Sequence, residues 1–173
     1  MFTAKSEICV HIRPMIRRDM VEVLETENEN FEFPWSEDDF NRCFRQRKCF
    51  GMAAEFNELV VGFMIYKYHK NRLHLLNFAV STEFRRRGVG RQMVEELIYK
   101  LLDQHLSHIM LKVRETNLAA QVFFRTLGFR AIAVLRDFYI ETTEDAYLMQ
   151  FQFPHDFKDD SFIPVSRISR FAR

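Results

Sequence analysis

Arg85-Arg86-Arg87-Gly88-Val89-Gly90-Arg91 stands between an apolar run that ends at Val80 and a long stretch of helical periodicity. The chain has only five glycines, and two of them fall here. Glycine lets a backbone turn tightly and approach a ligand closely. The N–H groups of a helix's first turn have no partner inside the helix and sit at the positive end of its dipole, an arrangement that binds phosphate. Flanking arginines add charge-assisted donors. The segment is expected to be a pyrophosphate cradle where a strand turns into a helix; the plainer alternative is a solvated arginine run at an ordinary turn. It holds neither the GxxxxGK[ST] of a P-loop nor the GxGxxG of a dinucleotide fold.

Past the glycines, Val89, Met93, Val94, Leu97, Ile98, Leu101 and Leu102 recur at helical spacing, which predicts a helix ending near His105. Upstream, Lys48 to Phe56 and Leu59 to His69 are β-rich runs joined at Asn57-Glu58 as a hairpin, and Arg72 to Ser81 is a third such run. Ile8 to Arg13 reads as a first strand. Asp19 with Glu22 reads as a capping-box start for a helix to about Asn28, and Ser36 as the cap of a second helix through about Gln46. Downstream, His108 to Arg114 is a strand, and Asn117 to Leu127 is a helix closed by Gly128. Phe129 to Tyr139 and Ala146 to Phe153 are final strands. The order β-α-α-β-β-β-α-β-α-β-β predicts an α/β fold, a mixed sheet with helices on both faces, over residues 7–153. Residues 154–173 form a tail without periodicity and with a basic end, either flexible or a strap over the domain.

With 173 residues the chain suits one domain with a real core. A net charge of +1 gives no global case for nucleic acid as a partner. Cys9, Cys43 and Cys49 form no CxxC pair and no ligand spacing with histidine, so no metal is expected and the thiols suit a reducing compartment. No apolar run approaches ~20 residues, and the first residues lack a signal-peptide pattern. A cytoplasmic protein without membrane contact is expected.

The cradle in its setting resembles the acetyl-CoA loop of the GNAT acyltransferases. Phe33-Pro34-Trp35-Ser36, Asn77-Phe78-Ala79-Val80, Val113-Arg114-Glu115-Thr116-Asn117 and Leu127-Gly128-Phe129 resemble the RimI-like branch, the ribosomal-protein N-terminal alanine acetyltransferases. Arg136-Asp137-Phe138-Tyr139 and Glu144-Asp145-Ala146 match the end of that domain. The resemblance covers residues 8 to 153 and implies two neighbouring parallel strands that splay to admit the pantetheine arm. It implies that the backbone of Phe78, Ala79 and Val80 pairs with that arm. It places the pyrophosphate on Arg86, Arg87, Gly88, Val89, Gly90 and Arg91, and Asn117 against the cofactor, acetyl-CoA. Asn117 also reads as the cap of its helix. Trp35 reads either as a contact for the acceptor peptide or as a hydrophobic staple with Phe40 around Ser36.

The resemblance implies acetyl transfer to a primary amine, a protein N-terminal amine first. A small amine or a lysine side chain is an alternative acceptor, and a non-catalytic acyl-CoA-binding module is an alternative class. The ammonium must lose a proton, the oxyanion must be stabilised, for instance by a backbone N–H near Val80, and the thiolate should gain a proton. An α-amine has a pKa of ~8 against ~10.4 for lysine, so it needs only modest help. RimI-like enzymes carry a glutamate base where this chain has Lys112, and a tyrosine acid where it has Phe124. Lys112 then reads as a solvated charge or a contact for an acidic substrate group. His74 shares odd–even parity with Phe78 and Val80 and is a replacement base, or else a half-buried strand histidine with a partner. Tyr139 is the candidate acid, or orients the substrate.

Overall fold

Two spacings of apolar residues build the molecule. Val89, Met93, Val94, Leu97 and Leu101, spaced for one helix face, are all buried in α3 (Val89–Asp103). Period-two runs form the strands β1 (His11–Pro14), β2 (Cys49–Phe56), β3 (Leu59–His69), β4 (Arg72–Val80), β5 (His108–Arg114), β6 (Arg130–Tyr139) and β7 (Glu144–Gln152). The remaining helices are α1 (Met20–Asn30), α2 (Glu37–Phe44) and α4 (Leu118–Thr126). This computed structural model describes residues 6–153. The tail expected over 154–173 lies outside the described residues.

The element order is the expected one, and the sheet runs β1-β2-β3-β4-β5-β7-β6. Among the described strands only β4 and β5 pair in parallel, across the α3 crossover. Two cores lie on opposite faces. On one, α3 and Phe124 of α4 pack on Met64, Leu73, Leu75, Ile109, Leu111 and Val113. On the other, Val23 of α1 and Phe40 of α2 pack on Ala53, Phe63, Ile65 and Ala79.

Local chemistry accounts for the joints. Asn57 and Glu58 have φ of 49° and 66°, the left-handed pair that a two-residue hairpin requires. Ser36 Oγ accepts from Asp39 N–H at 3.3 Å, and Asp39 Oδ2 accepts from Ser36 N–H at 2.9 Å, closing a capping box. Trp35 and Phe40 meet edge to face at 5.3 Å as the staple. Gly128, at φ +91°, ends α4: its N–H donates to Arg125 O, and Phe129 N–H donates to Phe124 O, each at 3.1 Å.

Two expectations are corrected. The first strand begins at His11, not Ile8, because the earlier residues bond to the start of α3. Ile8 N–H donates to Arg87 O at 3.0 Å, and Val10 N–H donates to Gln92 Oε1 at 3.1 Å. Gln92 Nε2 in turn donates to Ile8 O at 2.7 Å. Asp19 and Glu22 do not cap α1. Asp19 accepts two bonds from the Arg13 guanidinium, at 2.7 and 2.9 Å, and one from Ile16 N–H at 2.8 Å. Glu22 Oε2 accepts from Val60 N–H at 3.2 Å.

Asp19 is 2% exposed, and the Arg13 guanidinium holds its carboxyl below the usual range against the opposing effect of burial. Asp19→Ala, which leaves the guanidinium paired with Glu55 alone at 2.8 Å and removes the acceptor of Ile16 N–H, is expected to lower the unfolding free energy by about 2 kcal/mol in urea titration at neutral pH. Because the folded pKa is depressed, this contribution is complete above the unfolded carboxylate range and is lost as pH falls through the folded value. Wild type and variant should therefore converge in acid.

Candidate active site

The parallel ladder between β4 and β5 is short. Arg72, Leu73 and His74 face His108, Ile109 and Met110, and the register ends there. From Leu75 to Val80 the β5-side edge of β4 has no strand partner among the described residues. Ser81 N–H donates to Val61 O at 2.9 Å, on the β3 side. Backbone alternation then turns the N–H groups of Phe78 and Val80 toward the open edge. Val80 O is occupied by Asn30 Nδ2 at 3.2 Å and Arg85 Nε at 3.4 Å, which leaves its N–H. Ala79 is corrected: its backbone turns to β3 and its side chain, 3% exposed, packs under α1 and α2. Of the three expected backbone contacts, two face the gap.

The cradle lies at the mouth of this gap. Arg86 and Gly88 take φ of +63° and +82°, and Gly88 caps α3. A Cβ on Gly90 would lie 3.1 Å from Phe123 Cζ, so glycine lets α3 approach α4. Val89 is buried and offers only its backbone. Arg86 borders a cavity of about 410 Å³ with Leu118, Ala119, Val122, Phe123 and Thr126. Leu118 and Val122 form an exposed apolar wall on α4. Arg87 is turned away: its guanidinium stacks at 5.4 Å over Phe84 and 5.8 Å over Phe56. Arg91 is exposed beside Gly90. Asn117 Oδ1 accepts from Ala120 N–H at 3.0 Å, the helix cap.

These groups fit a nucleotide-bearing thioester. The open strand edge suits the amides of a pantetheine arm, the left-handed glycine and the first-turn N–H groups, which have no partner among the described residues, suit a pyrophosphate, and the apolar wall suits the rest.

On the opposite face a second set of side chains gathers. The parity expected of His74 is overturned by a β-bulge. Ile65 faces Asn77 while Tyr66 faces Leu75, so Leu76 is an extra residue. Leu73 and Leu75 before the bulge share the α3 face with Phe78 and Val80 after it, and His74 turns to the α1 face with Asn77 and Ala79. Among the described residues its Nε2 is buried without a hydrogen-bond partner, as is Asn77 Oδ1. Burial, followed by the fields of His69, Lys67, Arg72 and Lys112, pushes the His74 pKa down, so the ring is neutral at neutral pH.

Tyr139 stacks under the Arg114 guanidinium at 3.8 Å, and burial raises its pKa, which keeps the phenol protonated. Arg114 donates to Thr142 Oγ1 at 2.8 Å and Glu144 Oε2 at 2.6 Å, and lies 5.6 Å from the Phe33 ring. Hydrogen bonds from Thr116, Thr142 and Arg114 hold Glu144 at a pKa of about 2. Lys112 Nζ sits 4.3 Å over the Phe138 ring. Phe124 is buried, 5.6 Å from Phe78 and 5.3 Å from Phe129.

Glu27 is a group that sequence patterns missed. It is 1% exposed on α1 and accepts from Trp35 N–H at 2.8 Å and Asn77 Nδ2 at 3.0 Å. Burial raises its pKa against those two bonds. It ties the Trp35 loop to the bulged strand. A glutamate in a helix of polar residues carries no mark of burial, so nothing in the sequence singled it out. Among the described residues no helix is long and apolar enough to cross a membrane, and no cluster suits a metal ion.

The profile of the acetyltransferase (GNAT) family matches residues 19–129. The chain is 30% identical over 133 residues to the [ribosomal protein bS18]-alanine N-acetyltransferase of Salmonella typhimurium, spanning 76% of this chain and 89% of that one. It is similar to the crystal structure of the ribosomal-protein-S18-alanine N-acetyltransferase from Escherichia coli, with a TM-score of 0.77 and 26% identity over 89% of this chain and all of that one. A GNAT family acetyltransferase from Elizabethkingia anophelis with acetyl-CoA bound superposes with a TM-score of 0.68 at 15% identity, over 83% of this chain and 98% of that one.

Gly88→Asp places a side chain at φ +82° and a carboxylate beside Glu7, whose Cδ would lie 3.7 Å from the new Cβ. It is expected to weaken acetyl-CoA binding by at least about a hundredfold in titration calorimetry. Wild-type affinity in this variant would refute the cradle.

Proposed function

The chain belongs to the GNAT acetyltransferase family, and from that premise we propose how its own residues move acetyl from acetyl-CoA to the α-amine of a protein N-terminus. The observation that carries this reading is the gap between β4 and β5, with the glycine cradle at its mouth. Bound there, acetyl-CoA supplies an activated acetyl thioester. The acetyltransferase domain is assigned to residues 7–153 in this reading.

The N–H groups of Phe78 and Val80 serve the open edge, and that of Val80 is the donor for a developing oxyanion. Gly88, Gly90 and the N–H groups opening α3 hold the pyrophosphate, with Arg86 and Arg91 as its cations. Asn117 caps α4 beside it.

His74 takes the proton from the arriving amine. Among the described residues its Nε2 and Asn77 Oδ1 are buried without partners on one face of β4, and with the ring proton on Nδ1 both are acceptors for which an ammonium brings donors. Lys112 cannot take this role while charged, and Phe124 has no hydroxyl. Tyr139, protonated and held against Arg114, gives a proton toward the leaving thiolate or orients the amine. The α-amine suits this arrangement, because its pKa of ~8 asks less of a base than the ~10.4 of lysine.

The reading is tested by thiol release from acetyl-CoA with peptides of varied N-termini beside small amines. Turnover on peptides supports it; turnover on small amines alone overturns it. His74→Ala is expected to lower kcat by at least tenfold, within the ~10²–10⁴ typical of general acid–base catalysis, with acetyl-CoA affinity unchanged. In wild type, activity should fall as pH drops through the depressed pKa of His74, and this limb should vanish in the variant. An unchanged profile removes His74 as the base.

A further inference from the structure

His74 lies within a strip of cations on the face that α1 and α2 leave uncovered. The helices pack on this face as far as Ile65 and Ala79. Beyond them the same face of β3, β4 and β5 is basic. Lys67 stands opposite His74, and His69 opposite Arg72. Met110 stands opposite His74 in β5, so Lys112, two residues on, shares the face. The His69 and His74 rings meet edge to face at 5.9 Å. At the hairpin end of the strip, His69, Lys70, Asn71 and Arg72 line a cavity of about 270 Å³.

Among the described residues the strip carries no counterion of its own: the ion pairs there involve Arg13, Arg42, Lys100, Arg114 and Arg136, not Lys67, Arg72 or Lys112. Uncompensated like charge on adjacent strands opposes folding and creates a positive potential that draws anions. At its other end the strip meets the acceptor side of the site, since Lys112 rests on Phe138 and Phe138 packs against Tyr139 at 5.1 Å. The charge is local: the whole chain carries only +1, without the global excess typical of a nucleic-acid binder.

We propose that this strip is the docking track of the acceptor protein, and that it selects N-termini whose first residues after the amine include aspartate or glutamate. The proposal rests on the reading that the acceptor is a protein N-terminus. Cations around His74 disfavour the ammonium form of an arriving amine, and acidic residues behind the amine offset that repulsion. Lys112 thus contributes to acceptor choice at the position where relatives of the RimI-like branch hold a glutamate.

The test uses the full-length protein and peptides that share one N-terminal residue and differ only in being acidic, neutral or basic at the next three positions. Thiol release is expected to give a kcat/KM at least about tenfold higher for the acidic peptide than for the neutral one, lower still for the basic one. The preference should shrink as salt is raised from about 0.05 M to about 0.5 M. Lys67→Ser with Arg72→Ser should raise KM for the acidic peptide and bring its kcat/KM to within about twofold of the neutral peptide's, both measured in the same variant. Equal use of all three peptides overturns the track and leaves the protein-acceptor reading standing. Turnover on small amines but no peptide overturns that reading as well. Inhibition by an RNA oligonucleotide, relieved in the double variant while acidic peptides show no preference, assigns the strip to nucleic acid and overturns the proposal.

Discussion

The molecule depends on a parallel ladder that stops. A strand edge inside a domain exposes N–H and C=O groups that must find partners, and most sheets supply them by continuing the pairing. Here β4 and β5 pair over three residues and then part. The bulge at Leu76 sits just beyond the last pair, where an extra residue bends and twists one strand away from its neighbour. Phe78, Phe123 and Phe124 cluster at the α3 face of the gap, with ring centroids 5.0–5.9 Å apart, and brace the strand from below. The edge that results is polar, fixed and short of partners. It is a candidate site because the fold leaves it incomplete.

The bulge also divides the site by chemistry. It keeps Phe78 and Val80 in phase with the apolar core while it sends His74 to the opposite face. One side of the sheet is therefore left to the cradle, α3 and α4, and the other to the titratable side chains. The face proposed for the acceptor is braced by charged groups whose bonds are satisfied within the protein. Glu27 links the Trp35 loop to Asn77. Glu144 links the loop before α4 to Arg114, and Arg114 supports the Tyr139 ring. In Glu27 burial outweighs two hydrogen bonds and raises the pKa; in Glu144, near the surface, three hydrogen bonds win and lower it. The same residue type thus serves as a buried tie in one place and a surface clasp in the other.

Much of this was legible in the sequence wherever the cause is local. The hairpin at Asn57-Glu58, the Ser36 cap, the Trp35–Phe40 staple and the Gly128 stop each depend on residues within a few positions of one another. The element order followed from them, and with it the sheet. What was hidden depends on partners far along the chain. Asp19 has the look of a helix cap, but the Arg13 guanidinium, brought beside it by the fold, claims its carboxylate. Ile8 to Val10 have the look of a strand, but Gln92 claims their backbone. The bulge is the most consequential omission. Leu75 and Leu76 are both apolar, so the change of phase between them leaves no trace in the alternation, and counting by twos set His74 on the wrong face.

The face on which His74 stands bears on how the chain manages without the glutamate and tyrosine that the RimI-like resemblance implies. A carboxylate base works by holding a proton that the amine gives up, and it does so best where its negative charge also steadies the ammonium. Lys112 reverses that sign. A cation near the amine lowers the amine's own pKa, and each unit is worth about 1.4 kcal/mol toward the neutral nucleophile. The starting pKa of an α-amine is ~8, so one unit suffices to make the neutral form dominant near pH 7.5, whereas a lysine side chain would still be mostly charged. A weak neutral base such as the desolvated imidazole of His74 then has little left to remove. On the proposed mechanism the cations around His74 compensate for the missing carboxylate and favour amines that are already easy to deprotonate.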